Sequence, residues 1–168
     1  MPRRLPDRWR LECIQEFRAA ATERFDDALS LAAAGRRTGA IYLWGYSAEM
    51  LIKAAYFSAF GLSEMSPITW AGELYPAINR GRTQFFIPWP RTGQGHNIEA
   101  WSELLVSERS FRGFAYSTGF GLEVQRQARR IGQLWSETLR YHRNIAYLHE
   151  VTQVRQAAEW FLVYADVL

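Results

Sequence analysis

Side chains well suited to chemistry cluster near the carboxyl-terminal end. They lie in the run Arg140-Tyr141-His142-Arg143-Asn144-Ile145-Ala146-Tyr147-Leu148-His149. A guanidinium such as Arg143 grips a phosphate in two directions and stabilises charge that develops on it. A neutral imidazole such as His149 can accept the proton of a ribose 2′-hydroxyl, or return one to a leaving oxygen. RNA cleavage by transesterification needs no metal in that scheme, and Asn144 could orient the phosphate or the histidine. The competing reading is a capped helix junction, with His149 near a helix start and Arg143 bonding to carbonyls.

Other chemistries have little to work with. The chain has no phosphate-cradling glycine loop, HExxH, GxSxG or EF-hand loop. His96, His142 and His149 lack the spacing of metal ligands with matching acids, so neither a metal nor another cofactor is expected. Cys13 is the single cysteine, which excludes an internal disulfide and a cysteine-based zinc site.

Helices must position these groups, and one stretch organises them. Residues 38–62 contain only two charges, Glu49 and Lys53, and Lys53 is the only lysine of the chain. At about 100° per residue, Ile41, Trp44, Ala48, Leu51, Ile52, Ala55 and Ala59 share a broad apolar face. Tyr42, Tyr46, Glu49, Lys53 and Tyr56 form an adjacent stripe. A helix with so little solvent-compatible surface must be covered on most sides. Glu49 precedes Lys53 by one turn, the favourable order, and the two are expected to form a structural ion pair. Two ions near the midpoint argue against a membrane span, at about 2.5–3.5 kcal/mol each.

Around this centre the periodicity places a first helix over 8–34, capped by Asp7 and ended by Gly35, after a basic lead of residues 1–7. Prolines 67, 76, 88 and 90 make 63–95 a long irregular insertion, with room for one short helix near 69–79. Its run FFIPWP cannot form an ordinary central strand and is expected to plug the bundle end. A third helix starts at His96-Asn97 and runs through 98–108. A fourth spans about 121–142, with Val124, Ala128, Ile131, Trp135 and Thr138–Leu139 as its core stripe, and its continuation sets Arg143 beside Leu139. Arg126, Arg129, Arg130 and Arg140 then share an arc of roughly 100° almost opposite Trp135, either a solvated face or an RNA-binding stripe that steers phosphates. A final helix covers about 150–167. The expected fold is therefore a single all-α domain over 1–168, an antiparallel bundle of about five helices.

Bulk properties agree with one globular domain. The 168 residues are 48% hydrophobic and 22% charged, and seven Trp, eight Tyr and ten Phe supply both core and interface material. Net charge is +3, which permits nucleic-acid contact without arguing for it. The amino-terminal MPRRLPDRWRLE has no continuous apolar signal region, so a cytoplasmic location is expected.

Several segments together resemble HEPN domains (higher eukaryotes and prokaryotes nucleotide-binding). GYSAEMLIKAAYFSAFG looks like the family's second helix, with the Glu-x-x-x-Lys element at Glu49 and Lys53. GHNIEAW resembles its Gly-His helix start, and WSETLRYHRNIAYLHEVTQVRQAAEWFL its last two helices. The resemblance implies a compact bundle that commonly dimerises through its later helices, often beside a separately encoded nucleotidyltransferase. Many members are metal-independent ribonucleases with Arg-x4-6-His, and Arg143-Asn144 followed by His149 matches that spacing. It would make Arg143 and His149 catalytic, duplicated across a homodimer groove, with Asn144 in support. Members without the nuclease pair carry Trp-x-x-x-x-Arg-Tyr, which Trp135 and Arg140-Tyr141 also fit. In them the bundle is a nucleotide- or substrate-binding partner, and Glu49, Lys53 and the tyrosine stripe gain weight. Val151 stands where modified toxin members carry a tyrosine.

Overall fold

A computed structural model describes residues 11–90 and 94–168. Six α-helices and no strand occur among these residues. They are α1 (Ile14–Ala33), α2 (Arg37–Phe60), α3 (Tyr75–Gln84), α4 (Ile98–Phe111), α5 (Thr118–Gly132) and α6 (Leu148–Val163). The all-α bundle expected from the sequence is what forms. The amino-terminal lead and the Asp7 cap lie outside the described residues.

α2 is the core of the bundle. It packs against α1, α4 and α6, while α5 bridges α4 and α6 on the far side. Fifteen of its 24 residues are buried, including Trp44, Ala48, Ile52, Tyr56 and Phe57. An element so enclosed has no polar face to give to water, which is why its sequence shows two apolar stripes and not one. It ends where Gly61 adopts φ 97°, a left-handed conformation that lets the Gly61 and Leu62 amides reach the Phe57 carbonyl.

The insertion 63–95 is ordered against the bundle wherever it is described. Ile68 N–H donates to the Glu12 carbonyl (2.7 Å) and Gln15 N–H to the Glu64 carbonyl (3.1 Å), which staples the insertion to the start of α1. A single π turn, Trp70–Leu74, leads into α3, with Pro76 in its first turn where a missing N–H costs nothing. The helical piece thus extends to Gln84, beyond the expected 69–79. Ile87 and Trp89 of the FFIPWP run are buried, and the Trp89 ring meets Trp101 edge-on at 5.1 Å. This is the aromatic plug expected there.

The fourth helix departs most from expectation. It stops at Gly132 and does not continue to 142; a short 3-10 turn over Glu137–Tyr141 follows. Trp135 marks the turning point. Its indole turns into the core, donates to the Tyr42 carbonyl (3.0 Å) and lies flat against α2 at Gly45. The Trp135 N–H still donates to the Ile131 carbonyl (2.9 Å), so helical hydrogen bonding carries the ring to this point, and the chain turns away at Ser136, which is extended (φ −148°, ψ 161°). Thr138, placed in the core stripe by periodicity, is exposed, and Arg143 sits in an irregular segment, not on a helix beside Leu139.

Candidate functional site

The break after α5 creates an edge where two distant segments meet. The tight turn between α1 and α2 (Gly35–Thr38) lies against the segment Arg143–Tyr147. Asn144 Nδ2 donates to the Gly35 carbonyl (2.9 Å), and the Thr38 N–H donates to Asn144 Oδ1 (3.1 Å). In return, the Ile145 and Ala146 amides donate to Thr38 Oγ1 at 2.9 and 3.0 Å. Four hydrogen bonds thus clasp chain positions more than a hundred residues apart. Both ends of the Asn144 amide are committed to this clasp, so its contact with any substrate would be indirect: it fixes the backbone that carries Arg143.

The clasp has an electrostatic consequence. Arg36 and Arg37 sit between Gly35 and Thr38, so they are brought to the same edge as Arg143. All three are exposed, and none has an ion pair among the described residues. The N-terminal pole of α2 points here as well, adding partial positive charge. His149 lies in the first turn of α6, exposed, its ring stacked on Tyr147 (centroids 5.8 Å, interplanar angle 10°). Glu150 accepts the Tyr147 N–H (2.7 Å) and so fixes the start of that helix. Beneath the segment, Thr38, Ile41, Leu134, Leu139 and Ile145 line a hollow of about 360 Å³.

The expected arginine stripe divides. Arg126, Arg129 and Arg130 share α5, but Arg140 belongs to the 3-10 turn and is not part of their arc. Arg126 pairs with Glu123 (2.8 and 2.6 Å) and Arg129 with Glu99 (3.7 Å), while Arg130 bonds to Gln127 and Gln156. Each of these is partly compensated by its neighbours. Arg140 stacks over the exposed Tyr141 ring at 4.7 Å. Arg36, Arg37 and Arg143, at this edge, have no such compensation among the described residues. The turn GRRTG was the sequence signal for the first two; spacing gave no hint that they meet residue 143.

A second concavity opens on the opposite stripe of α2. Glu49 and Lys53 form the expected buried ion pair. His96 Nδ1 joins them, 3.1 and 3.2 Å from the two Glu49 oxygens. Lys53 Nζ also rests 5.3 Å from the Trp101 ring centroid. Tyr46 contacts Tyr42, His96 and Trp135 edge-on at 4.9, 5.5 and 5.4 Å. Burial pushes its phenol well above the ordinary value, and the hydrogen bond with Tyr42 and the Glu49 charge push the same way. A cleft of about 680 Å³ lies over this cluster, walled by α1, α2 and the insertion. His96 stood out in the sequence only as part of a helix start.

No helix among the described residues is long and apolar enough to cross a membrane. No group of three or more His, Cys, Asp or Glu side chains among them is placed to hold a metal ion. No family model matches the chain, nor does any curated protein or solved structure.

Proposed function

We propose that this chain is a HEPN-like, metal-independent endoribonuclease of toxin or defence type, working as a homodimer through the edge that carries Arg143 and His149. The observation behind this reading is the clasp. It brings the backbones that carry three exposed, unpaired arginines to one edge, on the segment that leads to the exposed His149, and such a surface suits a polyanion. Arg36, Arg37 and the N-terminal pole of α2 hold flanking phosphates, with Arg140 and the α5 arginines Arg126, Arg129 and Arg130 extending the track.

Chemistry follows from the two groups at its centre. His149, neutral, takes the 2′-hydroxyl proton as the 2′-oxygen attacks the adjacent phosphorus. Arg143 stabilises the extra negative charge on the phosphoryl oxygens as the bond to the 5′-oxygen breaks. An imidazolium, from the same His149 or its copy across the dimer, returns a proton to that oxygen. Products are a 2′,3′-cyclic phosphate and a free 5′-hydroxyl. Asn144 acts by holding the backbone of Arg143 to α2.

RNA cleavage in EDTA tests this. Wild type cleaves, and His149→Ala and Arg143→Ala each lose on the order of a hundredfold or more. Arg36→Gln with Arg37→Gln weakens RNA binding and lowers the salt slope by roughly 1.4, two phosphate contacts on a single strand. Cleavage unchanged in His149→Ala removes it from the mechanism. A wild type that binds RNA without cutting it favours the second reading, a non-catalytic substrate-binding partner of a separately encoded nucleotidyltransferase. That alternative has its own observation, the cleft over Glu49, Lys53 and His96.

A further inference from the structure

We infer that the hollow beneath Ile145 is a base pocket, which receives a guanine next to the phosphate to be cut. The inference rests on the ribonuclease reading and narrows its substrate to RNA with an unpaired guanine at that step.

Placement comes first. Ile145, Ala146 and Tyr147 line the hollow, and they occupy the stretch between Arg143 and the start of α6, where His149 lies. Thr38, which follows Arg36 and Arg37, lines it from the α2 side. Ile145 and Tyr147 are more than half exposed, so they stand at the mouth, while Ile41 is buried at the back. A base lodged here leaves its sugar and phosphate at the mouth, on the segment that carries Arg143 and leads to His149. The volume, about 360 Å³, lies within the range of small-molecule pockets. Ile41, Leu134 and Leu139 give it apolar walls suited to the faces of a planar ring. The clasp sets those walls in advance, because Thr38 Oγ1 holds the Ile145 and Ala146 amides.

Polar groups select the base. Glu150 lines the hollow, and its Oε2 accepts the Tyr147 N–H at 2.7 Å. Its Oε1 has no partner among the described residues. A carboxylate only accepts, and guanine alone offers it two adjacent donors on its Watson–Crick edge, N1–H and the N2 amino group. Adenine and cytosine set a ring nitrogen acceptor beside their amino group, and uracil sets its N–H between two carbonyls. Each of these turns an acceptor toward the carboxylate. Thr38 supplies the complement. Its hydroxyl is buried and accepts two amides, and its own proton has no acceptor among the described residues, so it can donate to guanine O6.

Short uridine oligomers with one variable central residue, guanosine, inosine, adenosine or cytidine, test this by fluorescence anisotropy on the full chain. Methylating every 2′-hydroxyl removes the attacking group, so binding is read without cleavage. Wild type binds the guanosine oligomer most tightly, and loss of the N2 amino group in inosine weakens binding by about tenfold. Glu150→Gln keeps the cap of α6, a role glutamine also fills, and abolishes the difference between guanosine and inosine. Unmodified oligomers are cut beside the guanosine and more slowly elsewhere. Guanosine-selective binding with no cleavage of the unmodified RNA refutes the ribonuclease reading and leaves the pocket standing. Cleavage at every step alike, with equal binding of all four oligomers, does the reverse. The inference is overturned if guanosine and inosine bind wild type equally, if Glu150→Gln retains the difference, or if no oligomer binds.

Discussion

Replacing Gly45 with Ala tests the argument that Trp135, and not helix periodicity, sets the carboxyl-terminal architecture. A Cβ at position 45 would stand 2.1 Å from Trp135 Cδ1 and 2.2 Å from its Cγ and Nε1. Those atoms belong to an indole bound to the Tyr42 carbonyl and 5% exposed, so the ring must leave its site. Burying an indole removes about 150–250 Å² from water, worth roughly 4–6 kcal/mol. The lost hydrogen bond adds about 1 kcal/mol, and Ala over Gly inside a helix returns about 1 kcal/mol. Since the displaced ring keeps part of its burial, Gly45→Ala should destabilise the protein by about 3–5 kcal/mol. The sharper expectation is a change of sign. In a Trp135→Ala background the obstacle is gone, and Gly45→Ala should stabilise by about 1 kcal/mol through helix propensity alone. Urea denaturation followed by far-UV circular dichroism measures all four proteins. If Gly45→Ala proves too unstable to fold alone, the comparison within the Trp135→Ala background still reports the sign. A Gly45→Ala protein within about 0.5 kcal/mol of wild type, or the same sign in both backgrounds, refutes the reasoning.

Alkaline pH should erode stability through the tyrosines. Burial first, and the Glu108 carboxylate second, raise the Tyr56 phenol, while Arg80 and Arg112 oppose them; burial pushes Tyr116 up to about 12. Above about pH 10 the unfolded chain releases these protons and the folded chain retains them, so stability is full below that pH and falls above it. Tyr56→Phe should flatten the decline in urea midpoint between about pH 8 and about pH 11; an unchanged slope would exclude Tyr56 as a contributor. Phe86 holds φ 55° with its ring 83% exposed, a left-handed conformation that disfavours bulky side chains. Phe86→Asn should therefore raise stability by about 1 kcal/mol in thermal melts while Phe86→Ala does not, and a lower Tm for the Asn variant would contradict the strain argument.

What could be seen in the sequence was whatever one helix decides by itself. α2 was legible because its two apolar stripes and lone Glu–Lys pair are local facts, and Gly61 marks its end. Asn97 was legible as a helix start, and its side chain does accept the Ala100 N–H at 2.8 Å. The end of α5 was not. Val124, Ala128, Ile131 and Trp135 keep helical spacing, and nothing nearby forbids the helix from continuing through 138. What local spacing does not display is the contact ninety positions away, where the Trp135 indole packs against Gly45 of α2. Tertiary packing overrides a propensity difference of a few tenths of a kcal/mol per residue without difficulty. The cleft was hidden for the same reason: Glu12, Tyr46, Trp70 and His96 come from four separate parts of the chain.

That one non-local contact also shapes the functional reading. Had the fourth helix run on to 142, residues 140–143 would have been helical and Asn144 could not have turned back to Gly35 and Thr38. Ending α5 at Gly132 lets the chain cross the amino-terminal end of α2 in a non-helical form, which leaves Arg143 exposed and brings its backbone to the turn that carries Arg36 and Arg37. Three like charges on one edge repel one another, and no described carboxylate relieves them. A purely structural junction would gain by pairing or dispersing them, whereas a surface that meets phosphates gains by keeping them free. The clasp therefore does two things with one set of hydrogen bonds: it closes the bundle at the α1–α2 turn, and it leaves an unneutralised cationic edge on the segment that leads into α6.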